Sequence, residues 1–230
     1  MKLLLLAAGI TSMTAAFERG DLDEAARQGA LAGPAVVERA FAAKARTTKL
    51  AAIAAAPTTE DRAELLPDLA DLAASADRRV AIPAARTART IARELARHDL
   101  PDDLAAEDLA AWRARFASIA GNADHVVEVR LASLETAQAL GGFALQPLLA
   151  DPDPLVRAEA IDLQPRPVDP ALRAMLAQTV ATDADAHVAL AAARLLCADD
   201  PAAGTAALGT VGVARLAKLP RDRDAMRCLR

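Results

Sequence analysis

The sequence predicts an all-helical protein made of many short helices, and both its composition and its turn signals support this fold class. Hydrophobic residues make up 53% of the 230 residues, whereas aromatic residues make up 2% and tyrosine is absent. Alanine favours helix, while β-sheets are rich in β-branched and aromatic residues. Glycine and proline lie mostly between apolar segments, as at residues 32–34 and 151–154, where they begin and end helices.

The chain begins with a short apolar run at residues 3–10, followed by small residues at 14–16. This pattern is typical of a secretory signal peptide, and the run is too short to cross a bilayer. We therefore expect residues 1–16 to be either a signal peptide or the start of the first helix of the fold, and we expect no stable membrane span. The protein is expected to be periplasmic or extracellular if it is exported, and cytoplasmic otherwise.

Helix signals follow one another after this segment. Asp21 is placed to cap a first helix, and Pro34 is placed at the first position of the next one, so these two helices are predicted to form a pair. Pro67 and Pro83 are predicted to bend the helices of a second pair. A longer helix is predicted after Asp102 and Asp103, since acidic residues favour a first turn. The helices predicted in this part of the chain are 21–31, 34–45, 59–74, 77–97 and 104–120.

Residues 145–161 contain the clearest repeat signal, with a first helix, an Asp/Pro turn and a second helix that begins at Val156 and Arg157. This segment resembles a HEAT repeat. The resemblance implies a HEAT- or armadillo-type array of about five helix pairs, a right-handed α–α superhelix. The array is expected to span residues 17–198, followed by a cap of short helices at 199–230. Similar second helices are predicted to begin at Thr48, Val80, Val129 and Val188.

Proteins of this kind are mostly scaffolds, so the resemblance implies a non-catalytic protein that offers a concave surface to an unknown protein partner. The alternatives are a HEAT-like enzyme of the bilin lyase type and a structural protein of the cell envelope. A HEAT-like DNA glycosylase, and nucleic acid as a partner, are disfavoured because the net charge is −4, tyrosine is absent and there is one tryptophan. Phosphate loops and dinucleotide fingerprints are absent from the sequence, so no cofactor is expected.

A row of arginines in the segment 77–97 is the candidate partner-binding surface. At 100° per residue, Arg79, Arg86, Arg93 and Arg97 fall within about 40° of one another, opposite a row of apolar residues. This row is either an ordinary solvated face or a set of guanidinium groups that bind acidic side chains or phosphates.

The two cysteines, Cys197 and Cys228, do not have the spacing of metal ligands. They are expected to form a disulfide if the protein is exported, and to stay reduced in the cytosol. His98, His125 and His187 lie at predicted helix ends and turns, so we expect them to have structural roles.

Overall fold

The computed structural model describes residues 2–97, 105–198 and 200–229, and side chains from residue 6 onward. Within these residues the chain forms thirteen α-helices and three short 3-10 helices, and it contains no strand. This confirms the predicted all-α class. The predictions for His98, Asp102 and Asp103 lie outside the described residues. The chain divides into two compact units, Met1–Phe143 and Ala144–Arg230.

The first unit is built from eight α-helices arranged as four consecutive pairs. Each odd-numbered helix packs on the helix that follows it, and helices of the same parity also contact one another along the unit. The first two 3-10 helices connect α4 to α5. The helices are α1 (Lys2–Glu18), α2 (Leu22–Ala32), α3 (Pro34–Phe41), α4 (Arg46–Ala55), α5 (Leu66–Ala73), α6 (Arg78–Arg97), α7 (Ala106–Gly121) and α8 (Val127–Ala139).

The second unit contains two helix pairs, α9 with α10 and α11 with α12, followed by α13 and a final 3-10 helix. Helix α13 packs on both α11 and α12, and it is interrupted at Gly209, whose φ is 57°. The segment Pro201–Leu216 therefore consists of two shorter helical parts that meet at Gly209. The elements are α9 (Leu145–Leu148), α10 (Pro154–Asp162), α11 (Pro170–Thr182), α12 (Ala186–Ala198), α13 (Pro201–Leu216) and the 3-10 helix Ala225–Leu229.

Four turns that precede even-numbered helices share one hydrogen bond. A side-chain oxygen accepts the backbone N–H of the Asp two residues later, which is an Asx or Ser turn. The bond fixes the chain just before the next helix begins. The donor-to-acceptor distances are 3.2 Å for Asp77 to Ser75, 3.0 Å for Asp124 to Asn122, 2.9 Å for Asp153 to Asp151 and 2.8 Å for Asp185 to Asp183.

Five hydrogen bonds between successive pairs have nearly the same sequence separation. They join residues 32 to 34 positions apart and occur in both units. A constant separation is expected when helix pairs of similar length stack on their neighbours. The bonded pairs are Thr14 with Thr48, Thr58 with Ala26, Thr87 with Ile53, Arg194 with Asp162, and Arg215 with Ala181.

The five second helices expected from the sequence correspond to α4, α6, α8, α10 and α12, and α2 adds a sixth. The predicted pairing of α2 with α3 is wrong, because α2 pairs with α1 and α3 pairs with α4. The predicted bend at Pro67 is also wrong, since this residue lies in the first turn of α5, where proline fits without loss of a hydrogen bond. Pro83 lies inside α6, as expected.

Residues 2–18 form α1, which packs on α2 and α4. Met13 and Ala16 of this helix are fully buried. The assignment of residues 1–16 to a signal peptide stays a prediction. None of the helices in the described part of the chain is both long and apolar enough to span a membrane.

Candidate partner-binding surface

The candidate surface lies on α6, whose two faces differ in polarity. Its first turn is capped by Asp77, whose Oδ1 accepts the backbone N–H of Arg79 at 3.0 Å. One face of the helix is buried in the core of the first unit, which leaves the opposite face for charged residues. The buried residues are Val80, Ala81, Ala84, Ala85, Ala88, Ile91, Ala92 and Leu95.

The four predicted arginines do not have the same environment. Arg79, Arg86 and Arg97 are exposed, and within the described residues none of them takes part in an ion pair. Arg93 instead forms an ion pair with Glu135 of α8, a carboxylate whose side chain is only 11% exposed. Within the described residues, the arginine row thus contains three guanidinium groups without an ion-pair partner and one group that connects two helices.

Arg89 is a second ligand of the same carboxylate, and the sequence analysis did not single it out. Its Nη1 donates to Glu135 Oε1 at 2.9 Å. The two arginines lie one helical turn apart, so both reach a single acceptor on the neighbouring helix. No local pattern marks Arg89, because its partner is 46 residues away in the sequence.

The acidic residues between positions 77 and 97 form ion pairs with arginines from other elements of the first unit. Asp77 pairs with Arg46 at 3.5 Å, and Glu94 pairs with Arg62 at 3.2 Å. These two are the only acidic residues between positions 77 and 97, which also contain six arginines. The exposed face of α6 therefore has an excess of positive charge in a chain whose net charge is −4.

The structure joins Cys197 and Cys228, which are 31 positions apart in the sequence, in a disulfide with their Cα atoms 5.5 Å apart. Cys197 lies in α12, and Cys228 lies in the final 3-10 helix. Thr205 of α13 donates from its hydroxyl to the carbonyl of Cys228 at 2.8 Å. Gly204 is required beside the disulfide, because a Cβ there would lie 2.8 Å from the Cys228 sulfur and from the Leu196 carbonyl oxygen. The disulfide thus links α12 to the final 3-10 helix at a place where both lie beside α13.

The two described histidines lie in turns or at helix starts, where the sequence placed them. The backbone N–H of His187 donates to Asp185 Oδ1 at 2.8 Å, and that of His125 donates to the carbonyl of Asn122 at 3.2 Å. In the described ranges, no three or more His, Cys, Asp or Glu residues are grouped in a way that could hold a metal ion.

A cavity of about 570 Å³ in the first unit is lined in part by carboxylates. Burial raises the pKa of Asp68, and the neighbouring Glu38 carboxylate acts in the same direction. Asp71 forms an ion pair with Arg115. Arg39 also lines the cavity. The cavity therefore contains both positive and negative side chains, which together favour no single class of ligand.

Comparisons with models of protein families, with curated proteins and with solved structures find no match. The resemblance to HEAT repeats therefore stays a prediction that rests on residues 145–161 and the second helices of similar pattern.

Proposed function

We propose that this chain is a non-catalytic protein-binding scaffold, and that Arg79, Arg86 and Arg97 contribute to its partner-binding surface. The observation that carries the proposal is the contrast along α6. Nearby Arg89 and Arg93 are bound to Glu135, whereas these three guanidinium groups are exposed and uncompensated within the described residues. Guanidinium groups bind carboxylates through two parallel hydrogen bonds, so such a row favours an acidic partner.

The spacing of the three arginines favours an extended contact rather than a small ligand. Eighteen positions separate the first from the last, and a helix rises about 1.5 Å per residue, so the row is about 27 Å long. That length matches one side of an ordinary protein interface. We propose an acidic protein surface as the partner.

We also propose that the scaffold works in an oxidising compartment outside the cytosol. The support for this is the disulfide between Cys197 and Cys228, which uses both cysteines of the chain. Structural disulfides persist in secreted and periplasmic proteins and are rare in reducing compartments. Alkylation of the protein purified from its native host, with and without prior reduction, tests this: two thiols that react without reduction contradict the proposal.

The test of the scaffold uses affinity purification from an extract of the native host, with quantitative mass spectrometry. The bait is the full chain, either wild type or with Arg79→Gln, Arg86→Gln and Arg97→Gln combined. A protein retained by the wild type should be lost with the triple variant. Folding should be nearly unchanged, because exposed substitutions typically alter stability by about ±0.5 kcal/mol each.

A matched control replaces three exposed arginines outside α6, namely Arg19, Arg221 and Arg223, by Gln. This control should retain the partner, and the affinity of the wild type for it should fall as salt is raised. If both triple variants retain the same proteins as the wild type, the arginine row is only a solvated face and the proposal fails.

A further inference from the structure

A groove between α11 and α13 in the second unit is a separate surface. It has two lobes of about 610 and 500 Å³, and Ala181 and Val211 line both of them. Most of the lining side chains are small. The small apolar residues of the groove are Ala174, Ala177, Ala181, Ala207, Val211 and Ala214.

The small residues of the α11 wall follow helical spacing, at intervals of three and four positions. A row of this kind forms a ridge against which the side chains of another helix pack. On the α13 wall, Ala207 lies before the kink at Gly209, and Val211 and Ala214 lie after it. Val211, which lines both lobes, is 69% exposed and is therefore available as a contact for a partner.

All charged side chains that line the groove are cationic. They are Arg173, Arg215 and Lys218, and among the described residues none of the three forms an ion pair. Arg215 is held in place by hydrogen bonds to the backbone carbonyls of Ala181, at 2.9 Å, and of Asp183. The carboxylate of Asp183 is itself bound by Arg157, which limits how far it can neutralise Arg215.

We propose that this groove binds one amphipathic α-helix of a partner protein, with apolar residues at positions i, i+4 and i+7 and acidic residues beside them. Helix-in-groove recognition uses this spacing of apolar anchors. The cationic rim provides the charge complementarity that selects acidic over basic helices. Helix α11 has 13 residues and is therefore about 20 Å long, which accommodates about three turns of the bound helix. The proposal goes beyond the α6 surface and does not require it.

The experiment selects ligands from a displayed library of random 16-residue peptides, with the full chain immobilised. Enriched peptides should be acidic and should repeat apolar residues at i, i+4 and i+7. A labelled peptide from this set should bind the Val211→Asp variant at least tenfold more weakly than the wild type. Lys218→Glu should weaken binding several-fold, and more strongly at low salt.

Leu155→Asp is the matched control, because Leu155 is an exposed apolar residue of the same unit, 57% exposed, that lies outside the groove. The affinity of the Leu155→Asp variant for the peptide should stay within twofold of that of the wild type. The α6 triple variant should also bind the peptide normally, so that failure of one surface is distinguishable from failure of the other.

Several results would overturn the inference. Enrichment of basic peptides, or of peptides without the helical spacing, contradicts the partner chemistry. Equal binding by the Val211→Asp variant places the contact elsewhere. A dimer in sedimentation that depends on Val211 makes a second copy of the chain the occupant. If the chain binds phosphatidylcholine vesicles with 30% phosphatidylglycerol and this binding depends on Val211, the occupant of the groove is an anionic lipid.

Discussion

Removal of the Asp183 carboxylate should destabilise the second unit strongly, because this group joins two successive helix pairs. Arg157 donates from Nε and Nη2 to the two carboxylate oxygens, each at 2.9 Å. Oδ1 also accepts the backbone N–H of Asp185 at 2.8 Å, which fixes the turn before α12. The side chain of Arg157 is only 14% exposed, and that of Asp183 only 10%.

The expected magnitude follows from what Asp183→Ala leaves behind. Arg157 keeps a hydrogen bond to the carbonyl of Asp151, at 2.8 Å, but loses its charged partner in a largely buried position. Charge-assisted hydrogen bonds contribute about 1.5 to 3 kcal/mol each, and breaking a buried pair costs about 3 to 5 kcal/mol. Since this pair is not fully buried, we expect a loss of about 3 kcal/mol.

The assay is urea unfolding followed by circular dichroism. Trp112, the one tryptophan of the chain, lies in α7, and its fluorescence provides a separate signal from the first unit. The matched control is Asp162→Ala, which removes the ion pair with Arg194, also in the second unit, at 2.6 Å but with both side chains about 40% exposed. This control should cost less than about 1 kcal/mol.

The same pair predicts how stability depends on pH. Burial alone would raise the pKa of Asp183, but the hydrogen bonds from Arg157 and the Asp185 N–H, with the positive charge of Arg157, lower it overall. Because the pKa is lower in the folded state, the carboxylate stabilises the fold above the ordinary carboxyl range and loses this effect as pH falls through the folded value. The difference between wild type and Asp183→Asn should therefore shrink below about pH 4. If Asp183→Ala costs no more than Asp162→Ala at pH 7, the argument from burial is refuted.

Three further predictions concern the packing of helices and can be checked by the same unfolding assay. Met13→Ala should cost about 2 to 4 kcal/mol, because the side chain is fully buried, and a smaller loss than 1 kcal/mol would mean that α1 does not pack as described. Gly29→Ala should destabilise the protein by about 1 to 3 kcal/mol although alanine favours helix, since the new Cβ would collide with that of Ala55; a stabilised variant contradicts this close approach. Replacing Cys197 and Cys228 together by Ala should cost about 3 to 4 kcal/mol in the chain-entropy model for a loop of 31 residues, and reducing the wild type should lower its stability to the same level, whereas no effect of reductant would show that the thiols are not bonded.

Part of the candidate site was predictable from the sequence and part was not. The helical periodicity of the segment 77–97 placed Arg79 and Arg86 on the exposed face of α6, where the structure has them. The same periodicity placed Arg93 with them, and it could not show that Glu135 binds this residue. Periodicity assigns a residue to a face of a helix, but only the position of the neighbouring helix decides whether its charge is already paired.

The sequence by itself determined the all-helical class and the positions of the second helices. These properties depend on local interactions, namely the helix propensity of alanine and the capping of helix starts by residues such as Asp153, which act within a few residues. Only the tertiary structure decided that α2 pairs with α1, that Glu135 compensates two arginines, and that α11 and α13 enclose a cationic groove. The physical reason is that these features depend on contacts between different helices, such as that of Arg89 with Glu135, 46 positions away, and such contacts form only when the helices pack on one another.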